Sequence, residues 1–199
     1  MIAIVDYGMG NLFSIYNALC KAGGDPIFVR DPSFDGADGI VVPGVGSFGK
    51  CMEQLEGFRT ALEMEISQGT PVLGICIGMQ VLFDSSMESS TAKGFGFIPG
   101  KVVRLPEGVM IPQMGWNSLC IKKDIDLLEG INDKDQFYFV HSYYCVPDDD
   151  GVIAATTQHG VELAACVSKD NLCATQFHPE KSGGIGLRIL ENFVRSTRC

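Results

Sequence analysis

One cysteine of this chain stands where a nucleophile can be made. In Gly74-Ile75-Cys76-Ile77-Gly78, small residues lie two places either side of the thiol. The apolar run 71–73 precedes the motif, and a helical stretch is expected over 79–83. That spacing permits a sharp strand-to-helix turn, which holds the side chain out at the end of a sheet. A helix N-terminus beneath the sulfur favours the thiolate, the reactive form. Such a nucleophile needs a base, and the chain has 3 histidines. His178 occurs in Gln176-Phe177-His178-Pro179-Glu180, directly after a strand-like run. Pro179 biases His178 towards extended backbone. In extended chain, residues two apart point the same way, so Glu180 can lie beside the imidazole and fix its tautomer. Nucleophile, base and orienting carboxylate make a triad for acyl transfer.

A third element completes this chemistry. Pro43-Gly44-Val45-Gly46 follows a strand-like run. Glycines there let backbone N–H groups turn towards an oxyanion. Taken by itself, a G-x-G after a strand is also a plain turn or a phosphate loop. It lacks the third glycine of a dinucleotide fingerprint and the Lys-Ser/Thr of a P-loop. His141, after the apolar run 137–140, reads as a structural, hydrogen-bonded histidine, and His159 as a solvated turn residue. Neither has a carboxylate two places on.

These residues must be positioned by a scaffold. Apolar runs at 2–5, 27–29, 40–42 and 72–75 read as strands too short to alternate. Helical stretches at 12–22 and 52–66 separate them, with Leu12, Ile15 and Leu19 at helical spacing. Buried runs alternating with helices predict a parallel sheet covered on both faces. From about residue 97 to 176 the pattern changes to strand-like runs at 102–105, 137–140, 152–157, 162–167 and 172–176, broken by turn signals. These predict antiparallel additions. A final helix is expected over 184–195, with Ile185, Ile189 and Phe193 on one face. The fold class is α/β: an open, mainly parallel, flavodoxin-like sheet with helices on both faces and antiparallel additions. No linker or repeat divides the 199 residues, so one domain over 1–199 is expected.

Composition excludes some functions. The net charge of −9 and the absence of any basic cluster argue against a nucleic-acid partner. No apolar run approaches a membrane span, and Met1-Ile2-Ala3-Ile4-Val5 lacks the basic start of an export signal. The 8 cysteines form no C-x-x-C pair, so no metal site or redox dithiol is expected, and most read as reduced in a cytoplasmic protein.

Together, the elbow Gly74-Ile75-Cys76-Ile77-Gly78-Met79-Gln80, the element 176–180 and the turn 43–46 resemble the triad (class I) glutamine amidotransferases in order and spacing. Tyr7-Gly8-Met9-Gly10-Asn11, Ser47-Phe48, Gly115-Trp116-Asn117, His141-Ser142-Tyr143-Tyr144 and Lys181-Ser182 narrow the resemblance to the glutaminase subunits of imidazole glycerol phosphate synthase. That resemblance runs from residue 5 to the C-terminus. It implies hydrolysis of L-glutamine without a cofactor, and a heterodimer with a (β/α)8-barrel cyclase that receives the ammonia in histidine biosynthesis. It implies an oxyanion held by the Ile77 N–H and by Gly44, Val45 and Gly46. It places Gln80, Ser142 and Tyr143 with Gly46 against glutamine, and Trp116, Asn117, Tyr138 and Lys181 towards the cyclase. The residue pattern alone allows Trp116 to be core or interface. A paralogous glutaminase serving a surface-sugar or pyridoxal phosphate synthase would carry the same triad. One departure stands out: Gln113 occupies a place where the family usually has histidine.

Overall fold

The structure is a computed structural model in which residues 1–198 are described. Its main sheet has eight strands. In chain order these are β1 (Ile2–Val5), β2 (Pro26–Val29), β3 (Gly39–Val42) and β4 (Val72–Ile75), and then β9 (Cys120–Ile121), β12 (Ile153–His159), β13 (Val161–Lys169) and β14 (Leu172–Thr175). They lie side by side as β2-β1-β3-β4-β14-β13-β12-β9. The first five are parallel, and the last three are added antiparallel. β1, β3 and β4 are buried at every residue, which is why they carry apolar runs rather than alternation.

Two crossovers set the faces. Helix α1 (Leu12–Lys21) joins β1 to β2, and α2 (Phe48–Leu55) with α3 (Arg59–Ser67) joins β3 to β4. The two connections step in opposite directions across the sheet. Right-handed crossover therefore puts them on opposite faces. The direction reverses between β1 and β3, and the crevice beyond the carboxyl ends of the strands at such a point is where open α/β sheets hold ligands. Ile15 and Leu19 are the buried residues of α1, as their spacing requires. Helix α5 (Gly183–Ser196) packs on α1 and buries Ile189, Leu190 and Phe193. Ile185 sits partly buried against the same core. No helix among the described residues is long and apolar enough to cross a membrane.

The middle of the chain builds more than additions to this sheet. β8 (Gln113–Ser118) and β10 (Gln136–His141) form a separate antiparallel ribbon. β5 (Ser85–Ser86), β6 (Ser89–Lys93), β7 (Gly100–Arg104) and β11 (Tyr143–Pro147) form a four-stranded sheet. The runs at 102–105 and 137–140 are therefore strands whose partners lie outside the main sheet. Their partners β8 and β11 escape a hydrophobic pattern because both mix polar, aromatic and Gly or Pro residues.

Candidate active site

The end of β4 runs into a single helical turn, α4 (Ile77–Gln80), with Cys76 between them. The expected helix over 79–83 thus begins two residues earlier and ends sooner. So short a helix cannot bring the summed dipole of a long one to bear on the sulfur. Cys76 has φ 56° and ψ −109°, a conformation that costs a non-glycine residue about 1–3 kcal/mol. It is held there from both sides. Its N–H donates to the Thr175 carbonyl at 2.7 Å, and its carbonyl accepts from Met79 at 3.0 Å and Gln80 at 3.2 Å.

The flanking glycines explain how the elbow fits. A Cβ on Gly78 would run into the Val42 carbonyl oxygen, and one on Gly74 would lie 2.7 Å from the Gly78 carbonyl oxygen. A Cβ on Gly44 would lie 2.5 Å from the Gly78 nitrogen. The ends of β3 and β4 and the elbow meet backbone against backbone.

Cys76, 4% exposed, borders a cavity of about 320 Å³. Val45 and Gly46 wall it from the turn after β3, Ile77 and Gln80 from α4, Ser142 and Tyr143 from the start of β11, and His178 from the turn after β14. Gly44 does not reach the cavity; it supplies the close backbone contact with Gly78. Glu88, Pro112, Val140 and His141 complete the wall. Sequence reasoning did not single out the first three. Glu88 stands in a polar stretch, and its Oε2 accepts the Phe48 N–H at 2.6 Å, a long-range contact with no local signature.

His178 is fixed on every side but one. Its N–H donates to the Tyr138 carbonyl at 2.9 Å, and its carbonyl accepts from the Ser182 hydroxyl at 2.7 Å. Its Nδ1 lies 2.8 Å from Glu180 Oε1, and both side chains are 2% exposed. An ionised carboxylate only accepts, so Nδ1 carries the proton and Nε2 is left for Cys76. Burial, the largest influence, pushes the imidazole down, but Cys76 and Glu180 together outweigh it and push it up to about 9. The expected His178–Glu180 contact is present, and His178 and Cys76 line the same cavity.

The turn 43–46 is tied by its carbonyls. The Tyr7 hydroxyl donates to the Pro43 carbonyl at 2.7 Å, and the Cys51 thiol donates to the Val45 carbonyl at 3.7 Å. Burial drives the Tyr7 phenol and the Cys51 thiol upwards, which keeps both protonated as donors. In a planar trans peptide, N–H and C=O point in opposite directions. With the Val45 carbonyl turned to α2, the Gly46 N–H faces away from that helix. The Ile77 N–H, at the first position of α4, has no helical partner of its own.

His141 does more than its sequence suggested. Nδ1 lies 2.9 Å from the Tyr143 carbonyl, so it donates, and the ring edge lines the cavity. Burial lowers this imidazole to about 4, against the smaller opposing effect of the Tyr143 carbonyl. Gln113 is its cross-strand partner, 3% exposed, and neither atom of the Gln113 amide has a hydrogen-bond partner. His159 is tied rather than loose, with Nε2 2.6 Å from the Met110 carbonyl.

The residues expected at an interface fall on the β8–β10 ribbon and beside it. Trp116 and Tyr138 pair across the ribbon with ring centres 6.0 Å apart, and Lys181 Nζ lies 6.0 Å from the Tyr138 ring centre. Trp116 is 56% exposed, which removes the core alternative. Met114, two residues earlier on the same face, is also exposed. Asn117 points to the other face, where its Nδ2 donates to the Gln158 carbonyl at 2.7 Å.

A strained cysteine on a strand-to-helix elbow, a histidine–carboxylate pair and a glycine-containing turn meet at one cavity on a doubly wound sheet, an arrangement suited to cysteine-dependent acyl transfer. Residues 3–197 match the family Glutamine amidotransferase class-I, and the chain belongs to that family. It is 53% identical over 200 residues to the imidazole glycerol phosphate synthase subunit HisH of Methanothermobacter thermautotrophicus, covering 100% of both chains. To the HisH subunit of a Synechocystis species it is 50% identical over 202 residues, covering 98% of this chain and 95% of the other. Among solved structures, PurLQS from Thermotoga maritima has a TM-score of 0.77 over 98% of this chain and 97% of that one. At 20% identity, that likeness concerns the fold alone.

Proposed function

We propose that Cys76, His178 and Glu180 hydrolyse L-glutamine to glutamate and ammonia, and that a separate barrel cyclase receives the ammonia. The chain is a glutamine amidotransferase subunit of imidazole glycerol phosphate synthase, an enzyme of histidine biosynthesis. The observation that carries the catalytic assignment is the 2.8 Å His178–Glu180 contact on the wall of the cavity that Cys76 borders.

The steps follow from the geometry. The Cys76 thiolate attacks the side-chain amide carbon of glutamine. The oxygen becomes an oxyanion, met by the Ile77 N–H and by the turn at Val45–Gly46. His178, protonated, gives its Nε2 proton to the departing nitrogen, and ammonia leaves with the C–N bond broken. Glu180 stabilises the imidazolium and holds its tautomer. His178 then takes a proton from water, whose oxygen attacks the γ-glutamyl thioester. The thioester bond breaks, glutamate leaves and the thiolate is restored. Gln80, Ser142 and Tyr143 shape the glutamine pocket. Trp116, Tyr138 and Lys181 form the face offered to the cyclase, with Asn117 bracing the ribbon from behind.

Cys76→Ala is expected to abolish glutamate release from glutamine, while the complex with its cyclase still makes product from added ammonia. Glutamate release by folded Cys76→Ala would overturn the assignment.

A further inference from the structure

Gln176, buried beside the sulfur, has no task in the mechanism above, and Gln80 has none there beyond shaping the glutamine pocket. Gln176 is 1% exposed and Gln80 2%. Their amides can be oriented from one fixed point. The Tyr143 backbone carbonyl can only accept, and Gln80 Nε2 donates to it at 2.9 Å. The same Nε2 has a second hydrogen, directed to Gln176 Oε1 at 3.1 Å. With its oxygen taken, the Gln176 amide turns its nitrogen towards Cys76, and Nε2 lies 3.7 Å from Sγ. Thus a carbonyl on the wall of the cavity dictates, through two amides, that the sulfur meets a donor rather than an acceptor.

We propose that Gln176 is a catalytic residue that stabilises the Cys76 thiolate through its side-chain N–H, and that Gln80 is the positioning residue that fixes the polarity of that amide. A hydrogen bond to a charged acceptor is stronger than one to its neutral form, so the donor favours thiolate over thiol. In the thiol form, S–H points instead to the Val140 carbonyl at 3.9 Å. Unlike His178, an amide donor is neutral and gives up no proton during turnover. It is in place when the thioester breaks and the thiolate is expelled. Of the other groups around the sulfur, His178, His141 and Glu88 share its cavity, and Tyr7, Cys51 and Cys145 lie close enough to interact with its charge. Only His178 among them supplies positive charge.

The catalytic meaning rests on the glutaminase reading, but the contact can be tested without glutamine or partner. The measurement is alkylation of the full chain by iodoacetamide across pH, with peptide mapping of Cys76. Gln176→Glu keeps an oxygen for Gln80 and puts a second one at the sulfur. Its alkylation midpoint is expected to rise by about one pH unit, which is roughly tenfold less reaction at pH 7. Gln176→Met and Gln80→Met should move it the same way by less. In turnover, Gln176→Met should lower kcat with little change in KM. Unaltered alkylation profiles in variants that keep the wild-type thermal midpoint would overturn the proposal. Should Gln176→Glu not fold, the two methionine variants decide. An inactive wild-type complex would overturn the glutaminase reading instead.

Discussion

His178 and His141 border one cavity, and the regions that hold them differ in kind. The shelf formed by the ends of β3, β4 and β14 fixes its groups by backbone contact and by a buried carboxylate. On the β8–β10 ribbon, His141 is fixed by one backbone carbonyl from the start of β11 and faces Gln113, whose amide has no partner. Both histidines are buried, at 2% and 7% exposure, yet one is pushed up to about 9 and the other down to about 4. Burial lowers both. What separates them is that Glu180 and Cys76 offer charge to His178, whereas the Tyr143 carbonyl offers His141 only a dipole. Of the two buried imidazoles, the one on the shelf is the one whose surroundings favour its protonated form.

The largest effect should come from the backbone contacts of the shelf. Gly78→Ala, aimed at the Val42 carbonyl, is expected to cost about 3 kcal/mol or more. Gly115→Ala in the ribbon has φ 135° but open space around it, so only backbone strain of about 1–2 kcal/mol is expected. Equal costs in chemical denaturation would remove the distinction between a locked shelf and a looser ribbon.

Glu180→Gln tests the charge. Turnover of glutamine is expected to fall by about 10²–10⁴-fold, and the His178 midpoint to drop from about 9. A titration followed by NMR that still placed His178 near 9 in this variant would break the comparison.

The most gradual effect is on stability against pH, spread over several pH units, and the two histidines act with opposite sign. His178 is raised from 6.5, so its contribution is full below 6.5 and is lost as pH rises towards about 9. His141 is lowered from 6.5, so its contribution is full above 6.5 and is lost as pH falls towards about 4. Denaturant unfolding of His141→Leu should show a flatter acid limb between pH 6.5 and 4 than the wild type. An unchanged limb would mean that His141 is not held neutral by the ribbon.

Much of this was written in the sequence, for a physical reason. The elbow, the histidine with a carboxylate two places on, and the glycine turn are local arrangements, governed by residue spacing and backbone freedom. So are the buried parallel strands, because a strand covered on both faces must be apolar throughout. Gln176 was within reach as well: it stands two residues before His178 and so points the same way in extended chain. Tertiary structure decided what depends on distant partners. It took β8 and β10 out of the main sheet and gave Gly44 a packing role. It shortened α4 to one turn, exposed Trp116, and set two buried histidines on opposite sides of neutrality. It also turned the Gln176 amide towards Cys76, through a carbonyl more than thirty residues away in the chain, because hydrogen-bond polarity propagates through space rather than along sequence.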